Sequence, residues 1–518
     1  MTSQIFPWFV FLLIGASIAF LHHRLAGHVG FDACDEGFLW YGVRQTRRGA
    51  VPIRDFKAYD LGRYYLLAGL AAVFGDGIVG LRKSLGVVRA LGLSLAMLLA
   101  WLATRDIAWA LATAALVQIW YFPRWKALDI TWSLAQVFVA TRLLDSPDPR
   151  TLVLAGIWIA ASWIVGLNHA LYAGATGFLC LLLGSVGLHR GFLADVVLLG
   201  VGAVIGCVLL AGLASLVPGL LRAYYRDKLR AILLRGSTNV RLPLPRLRLR
   251  RAPLQELAKA VVFWLVPSIS LGVICSFLWV PSVGLASGPW AAASAIVGLV
   301  YCHVAWSRAD LSHLAQSLHP VIVAFVIVVA PTGWPGWLAF LVLGGLSIIA
   351  RKDTAFLWLF LRRAPEQFSA LHFEGETTWL PREQARRFQG IRELVTRYTS
   401  PGDAVLIVPL ETGLYPLLGR TTPIYEAFSV FPGTASTQQR VMDEMRAAQV
   451  SLVVVNNVAL DNLESRRYSA NYPVVWSYLR SEFHELPREV LGGEYVAFLR
   501  ERPGEGAIDA DPGPAAPC

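Results

Sequence analysis

Long apolar runs alternate with short polar segments over the first 350 residues of the chain. A helical span needs about 17–25 residues, and backbone polar groups in a bilayer must pair internally, so such runs predict membrane helices. About eleven runs fit this pattern: 5–21, 84–103, 107–122, 130–144, 151–167, 171–187, 192–217, 257–280, 289–305, 318–331 and 336–350. Several of these runs are at the lower length limit. We therefore predict a transmembrane domain over 1–350.

Two longer polar loops interrupt the apolar runs. The first, 22–83, contains an apolar piece from Tyr64 to Phe74 that is too short to cross a bilayer, so we expect it to lie along the membrane surface. The second, 218–256, is rich in arginine and contains Pro243 and Pro245, which favour an extended chain.

The pattern changes after residue 350. Apolar residues from Phe388 to Tyr398 recur at helical spacing, and AVLIVP (404–409) and SLVVVNN (451–457) are short β-branched runs typical of buried strands. We predict a soluble α/β domain over 365–502 and a disordered tail over 503–518. The predicted fold class is a polytopic α-helical membrane protein of about 11 spans with a C-terminal soluble α/β domain.

Composition agrees with a membrane protein. The 518 residues are 55% hydrophobic and 16% charged, against about 25% charged residues in soluble domains. The net charge is +11, but the basic residues lie in loops without a nucleic-acid-binding motif, so we expect anionic lipid and no nucleic acid as partner. Six cysteines without a CxxC pair argue against structural disulfides and zinc.

An acidic cluster follows the first apolar run. In FDACDEGFLWYG (31–42), helical spacing would place Asp32, Asp35 and Glu36 on one face, where like charges repel. Such an arrangement costs stability unless a site uses it. Cys34, inside the cluster, is interpreted either as a nucleophilic thiol or as a small residue in a tight loop, and the second interpretation is favoured.

The stretch DEGFLWYGVRQTRRGAVPIRDFKAYDLGRYYL, followed by FGDG, resembles the first extracytoplasmic loop of the GT-C superfamily. The resemblance is to the protein O-mannosyltransferase and aminoarabinose-transferase type. It rests on the Asp-Glu pair, on a G-x-x-P-x-x-D-F-like stretch (Gly49, Pro52, Asp55, Phe56) and on YFPRWKALDITW in the second outer loop. It implies a multispanning enzyme that transfers a sugar from a polyprenyl-phosphate donor to a glycan, lipid or protein acceptor. The familiar lysine near the end of a middle span is replaced here by Asn168-His169.

The resemblance also implies roles for individual residues. Asp35 would be the general base of an inverting transfer, and Glu36 a second catalytic carboxylate that orients the acceptor. Basic and polar side chains near the same membrane face would bind the lipid phosphate or the sugar: Lys57, Tyr59, Arg63, Arg124, Lys126, Asp129, His169, Arg308 and His313.

Several of these residues have simpler interpretations. Asp129 would begin a helix, His169 would be an interfacial side chain, and Arg308 with Asp310 would form a local ion pair. Some superfamily members use a divalent cation such as Mg²⁺ or Mn²⁺ and others do not. If one is used here, Asp35, Glu36 and Asp129 are its predicted ligands.

The predicted orientation places the N-terminus in the cytoplasm and the C-terminal domain outside the inner (cell) membrane. This places the arginine-rich loop 218–256 outside, against the positive-inside preference, although it suits a polyprenyl-phosphate substrate. With the opposite orientation, the donor would be a nucleotide sugar. The alternatives from other classes are a lipid-linked-oligosaccharide flippase or transporter and a non-catalytic envelope-assembly protein. Because polar residues gather in loops on one side, surface chemistry is favoured over transport.

Overall fold

The computed structural model describes residues 2–145, 147–188, 191–235, 239–247, 253–279, 288–352, 367–487, 491 and 493–500. The chain divides into two compact units. The first contains Met1–Phe31 and Gly42–Leu380, and the second contains Asp32–Tyr41 and Pro381–Cys518. The predicted boundary at residue 365 and the predicted tail 503–518 lie outside the described residues, so the domain limits stay predictions.

Helices make up most of the first unit. In chain order the α-helices up to residue 351 are α1 (Thr2–Ala26), α2 (Asp35–Arg47), α3 (Leu61–Phe74), α4 (Ile78–Thr104), α5 (Ile107–Trp120), α6 (Ala127–Asp145), α7 (Pro149–Val165), α8 (Leu167–Leu188), α9 (Phe192–Ser215), α10 (Leu220–Ala223), α11 (Arg230–Arg235), α12 (Leu254–Trp279), α13 (Gly288–Ser307), α14 (Leu311–Val329) and α15 (Trp334–Arg351). A π-helical stretch, Tyr224–Leu229, joins α10 to α11.

Each of the predicted apolar runs lies on one of these helices. Within the described chain, nine helices are long and apolar enough to cross a membrane. The runs 107–122 and 151–167 form the shorter helices α5 and α7, and the predicted surface helix in the first loop is α3. The chain is therefore a polytopic membrane protein, as its sequence predicts.

Small residues let helices of this unit approach each other closely. A Cβ atom on Gly156 of α7 would lie 2.2 Å from the carbonyl oxygen of Leu199, and one on Gly202 of α9 would lie 2.1 Å from that of Val153. Any larger residue at either position would push the helices apart. This is the usual way in which membrane helices gain contact, because burial of apolar surface does not drive their association inside lipid.

A β-hairpin that the sequence analysis did not predict follows the last helix of the membrane region. Strands β1 (Phe368–Phe373) and β2 (Glu376–Pro381) are joined at Gly375, whose φ of 78° favours glycine. Arg44 of α2 donates two hydrogen bonds, of 2.6 and 3.1 Å, to the Glu374 carboxylate in this turn. The Glu376 carboxylate accepts the backbone N–H of Val79 at the start of α4.

The second unit contains a four-stranded mixed sheet. Its strands are β3 (Val405–Val408), β4 (Leu452–Asn456), β5 (His484–Glu485) and β6 (Tyr495–Leu499), in the order β3-β4-β6-β5. The strands β3 and β4 are parallel, with Val405 opposite Leu452, and β6 pairs antiparallel with both β4 and β5. The helices of this unit are Arg382–Tyr398, Leu414–Leu417, Ala435–Ala447, Tyr468–Asn471 and Pro473–Glu482.

The core of the second unit forms where helices pack on the sheet. Met445 and Leu479, from two of the helices, belong to one buried cluster with Leu406, Val453 and Phe498 of the strands. The predicted helix that contains Phe388 to Tyr398 and the predicted strands within 404–409 and 451–457 are confirmed. The antiparallel β6 was not predicted, because YVAFL is short and its surroundings are polar.

Candidate active site

The acidic segment 31–42 begins helix α2, and its carboxylates satisfy the start of that helix. Asp32 Oδ1 accepts the backbone N–H of Cys34 at 2.8 Å and that of Asp35 at 3.2 Å. In return, Glu36 Oε2 accepts the backbone N–H of Asp32 at 3.4 Å. This reciprocal pairing resembles a capping box. Asp32 is therefore a capping residue, and buried Glu36 supports the same turn, while half-buried Asp35 is the first helical residue.

The crowding of these acids changes their protonation. Burial, reinforced by the negative charges of Asp35 and Glu36, raises the pKa of Asp32 to about 7. Burial also raises the pKa of the Cys34 thiol, and the acids around it act in the same direction. Because a nucleophilic cysteine needs a lowered pKa, the interpretation of Cys34 as a small loop residue is favoured.

The second unit packs tightly around the acidic segment. The backbone N–H of Gly413, in the loop after β3, donates to Ala33 O at 2.8 Å. A Cβ atom on Gly37 would lie 2.5 Å from Gly413 Cα, so the first turn of α2 touches the backbone of this loop. One turn later, the rings of Phe38 and Phe428 stack at 4.6 Å. The position of Asp35 thus depends on contacts that only a residue without a side chain permits at position 37.

A buried carboxylate that the sequence analysis missed lies in the same loop. Glu411 Oε1 accepts the Tyr495 hydroxyl and the Asn456 side-chain amide, the latter at 3.3 Å. Burial raises the pKa of Glu411. Glu411 follows β3 and Asn456 ends β4, so both lie at the carboxyl ends of the two parallel strands, where α/β sheets usually bind ligands. Only the fold brings these residues together, because they are far apart in sequence.

Three predicted site residues form one buried network in the first unit. Both Arg63 Nη atoms donate to the Asp129 carboxylate at 3.3 Å. His169 Nε2 lies 3.0 Å from Asp129 Oδ1, and its Nδ1 lies 2.8 Å from the Tyr301 hydroxyl. Because the carboxylate only accepts, His169 donates to Asp129 through Nε2. His169 is 1% exposed, which contradicts its interpretation as an interfacial side chain.

Each of these charged residues occupies the first turn of its helix. Arg63 is in α3, Asp129 in α6 and His169 in α8. Asp129 therefore lies at the beginning of a helix, which was its simpler interpretation, and it also pairs with Arg63. Since successive spanning helices alternate in direction, the network marks one end of the helical unit. This grouping agrees with the prediction that polar groups collect at one membrane face.

An aromatic and basic group lies beside this network. The Tyr59 ring lies 5.5 Å from the Arg63 guanidinium carbon and 4.9 Å from Lys126 Nζ. Lys228 Nζ, from the π-helical stretch, donates to the Tyr59 carbonyl and lies 3.5 Å from Asp60 Oδ1. Burial lowers the pKa of Lys228. The basic loop 218–256 thus supplies a buried lysine to this face, although the sequence analysis did not single out Lys228.

The remaining predicted residues lie elsewhere in the first unit. Arg308 Nε and His313 Nδ1 each lie 2.7 Å from the Asp310 carboxylate, which also caps α14. Arg308 also donates to Val240 O at 3.0 Å, so the local ion pair is present and holds part of the basic loop. Lys57 is half-buried in the segment between α2 and α3.

Among the described side chains, no group of three or more His, Cys, Asp or Glu residues is arranged to hold a metal ion. These residues therefore give no set of ligands for the predicted Mg²⁺ or Mn²⁺ site of Asp35, Glu36 and Asp129. A divalent cation stays a prediction of the sequence.

Comparison with known proteins identifies the fold. No family model and no curated protein sequence matches the chain. Among solved structures, ArnT from Cupriavidus metallidurans bound to undecaprenyl phosphate matches with a TM-score of 0.50 and 12% identity, over 96% of this chain and 98% of that chain. The apo oligosaccharyltransferase of Archaeoglobus fulgidus matches with a TM-score of 0.43 and 13% identity, over 92% of this chain and 73% of that chain.

The chain has the fold of this ArnT structure. The match with ArnT extends over nearly all of both chains, so it includes the helical region and the C-terminal sheet region alike. The resemblance stated from the acidic loop is thereby confirmed for the fold. The roles of the individual site residues stay predictions, because an identity of 12% carries no residue-level correspondence.

Proposed function

We propose that this protein is a membrane glycosyltransferase that moves a sugar from a polyprenyl-phosphate donor to an acceptor outside the inner membrane. One observation carries the proposal: the fold is shared, over nearly the full length of both chains, with an ArnT structure that binds undecaprenyl phosphate. The one-sided grouping of charged residues in the first unit adds support. A lipid-linked donor would place its phosphate at such a face.

The proposed reaction needs one base and a stabilised leaving group. The acceptor hydroxyl oxygen attacks the anomeric carbon while Asp35 takes the hydroxyl proton. The bond from that carbon to the phosphate oxygen breaks, and polyprenyl phosphate leaves with the electron pair, which inverts the anomeric centre. Glu36 and Asp32 hold the turn from which Asp35 projects.

Positive charge near the lipid phosphate would lower the barrier to its departure. Lys57 and Lys126 are proposed for this role, with Arg308 and His313 contributing from the start of α14. Arg63 and His169 are engaged by Asp129, so we assign that network to orienting Tyr59 and the donor.

A transport function is the second candidate. Arg89 and His319 lie buried within α4 and α14, and ionisable groups inside spans are typical of transport paths. The grouping of Arg63, Asp129 and His169 at helix starts favours surface chemistry instead. Transport would be indicated by donor movement across proteoliposomes without chemical change of the donor.

The deciding experiment supplies purified full-length protein with radiolabelled polyprenyl-phosphate sugars and a panel of acceptors. We expect slow hydrolysis of one donor, and faster transfer when its acceptor is added. A reporter fused after Leu499 should also report an extracytoplasmic location. The proposal would be contradicted if every donor stayed intact and no label reached any acceptor. A cytosolic location of the reporter would favour a nucleotide-sugar donor.

A further inference from the structure

A basic cavity lies between α1 and α4, apart from the network around Asp129. Its lining includes three arginines and two histidines: His22, His23, Arg82, Arg89 and Arg124. No Asp or Glu is present among the described residues that line it. The cavity is small, with about 30 Å³ of water-accessible space, and it is partly open to the surroundings. A concentration of positive charge without acids indicates a site for an anion.

Arg89 provides the strongest single observation. Arg89 is 4% exposed, and its Nη2 donates a hydrogen bond to Tyr121 O at 2.8 Å. The guanidinium carbon lies 4.9 Å from the centre of the Tyr121 ring. Arg89 Nη1, however, is buried and has no hydrogen-bond partner within the described residues. A buried guanidinium without a counter-charge is costly, so an anionic partner is expected.

The other arginines are held in place by backbone carbonyls. Arg82 donates to Gly27 O at 2.9 Å and to Gly30 O at 2.5 Å, and Arg124 donates to Val29 O at 2.9 Å. These bonds fix the guanidinium groups. The site is therefore preorganised, and an entering anion would not have to order these side chains first.

One side of the cavity belongs to a helix that faces lipid. Close to His22 on α1, Phe20 and Leu21 are 65% and 59% exposed, and this helix is one of the candidate membrane spans. An acyl chain would lie against this apolar surface while its headgroup entered the basic cavity. Basic pockets between membrane helices bind anionic headgroups in this way.

We propose that this cavity binds the phosphate-bearing headgroup of an anionic phospholipid. The positively charged guanidinium group of arginine can donate two parallel N–H hydrogen bonds to two oxygens of a phosphate group. Arg124, which the sequence suggests for the donor, lines this cavity instead, whereas Lys126 of the same short helix, Arg124–Lys126, contacts Tyr59 of the proposed donor site. The inference does not depend on the proposed transfer reaction, because its test measures lipid retention and not activity.

Gly86 offers a variant that fills the cavity without removing a charge. It lines the cavity in α4, and a Cβ atom there would meet nothing within 4 Å. Gly86→Leu should therefore occupy the space of the headgroup, and a leucine is compatible with the helix. Gly200→Leu is the matched control, since Gly200 is also helical with open space around its Cβ position.

Arg89→Gln tests the charge itself. This substitution removes the guanidinium group whose Nη1 is buried without a hydrogen-bond partner among the described residues. Arg89→Lys keeps a positive charge but removes the planar guanidinium geometry. The control is Arg105→Gln, which removes an arginine that follows α4 and stacks on Trp101 at 4.8 Å, outside the cavity. Unchanged helical content by circular dichroism would show that each variant folds.

Native mass spectrometry of the full-length protein in detergent would measure retention of phosphatidylglycerol and of phosphatidylcholine. We expect preferential retention of phosphatidylglycerol, reduced about tenfold by Gly86→Leu and by Arg89→Gln but not by either control. Millimolar inorganic phosphate should compete.

Three results would overturn the proposal: equal retention of both lipids by the wild type, equal loss in Gly200→Leu and Gly86→Leu, or binding of inorganic phosphate without retention of phosphatidylglycerol. If Arg89→Gln fails to fold, Gly86→Leu decides the question alone, because it leaves every charge of the cavity in place.

Discussion

Two groups of carboxylates in this protein have opposite surroundings. Asp129, in the first unit, lies between the Arg63 guanidinium and the His169 ring. Asp32, in the second unit, lies beside Asp35 and Glu36, and burial with their charges raises its pKa to about 7. A carboxylate among cations keeps its charge and anchors its neighbours, whereas a carboxylate among acids binds and releases protons near neutral pH. The comparison agrees with the proposal that the acidic segment transfers the proton and that the Asp129 network positions its neighbours.

The largest expected effect is on the stability of the positioning network. Asp129→Ala leaves the Arg63 charge buried without its partner, which should destabilise the protein by about 3 kcal/mol or more. Arg63→Met combined with Asp129→Leu should regain part of this loss, because no uncompensated charge remains. Thermal unfolding of the purified variants, followed by tryptophan fluorescence, would measure both effects.

A surface ion pair provides the control for this comparison. Glu256 and Lys259 of α12 lie 2.7 Å apart, and Glu256 is exposed whereas Lys259 is half-buried. Glu256→Ala should therefore cost below about 1 kcal/mol. Equal losses for Asp129→Ala and Glu256→Ala would show that Asp129 anchors nothing.

The next effect is on catalysis. Asp35→Asn preserves size and hydrogen bonding but removes the proposed base, so transfer from the polyprenyl-phosphate donor should slow by about 10²-fold or more. The protein should unfold at the same temperature as the wild type. Glu36→Gln should cost less, because Glu36 supports the turn through the Asp32 backbone N–H. An Asp35→Asn protein with full turnover would remove Asp35 from the mechanism.

A smaller effect is expected from moving the acidic turn without changing its charge. Gly37→Ala would bring a Cβ atom to 2.5 Å from Gly413 Cα, so the turn and the loop after β3 must separate. A misplacement on the order of 1 Å costs catalysis heavily, and we expect about a tenfold loss of turnover. Gly69, in α3, has open space at its Cβ position, so Gly69→Ala should leave turnover unchanged. Equal turnover in the two variants would show that the close contact between Gly37 and Gly413 is not needed for catalysis.

The sequence predicts helices here far better than it predicts the site. The eleven apolar runs are long and uniform, so each becomes a helix, and Asp32 at the start of α2 follows from local capping chemistry. The pairing of Arg63, Asp129 and His169 joins three helices, and the contact of Glu411 with Tyr495 joins two strands. No local pattern specifies such partners. The hairpin at Gly375 was missed for a related reason, since its strands are short and its pairing with Arg44 is distant in sequence.

The last effect concerns the pH dependence of stability. Folded Asp32 has a pKa of about 7, against an ordinary value of 3.8. Between these values the folded protein holds a proton that the unfolded chain has lost, so the free energy of unfolding should fall as the pH rises through this interval. Asp32→Asn keeps the capping oxygen but cannot ionise. It should match the wild type near pH 4 and exceed it at pH 8, by at most about 1.4 kcal/mol for each unit between the two pKa values. Unfolding midpoints measured at both pH values would test this. The prediction would be wrong if the wild type gained stability relative to Asp32→Asn from pH 4 to pH 8. That result would mean that the fold stabilises the Asp32 carboxylate as an anion.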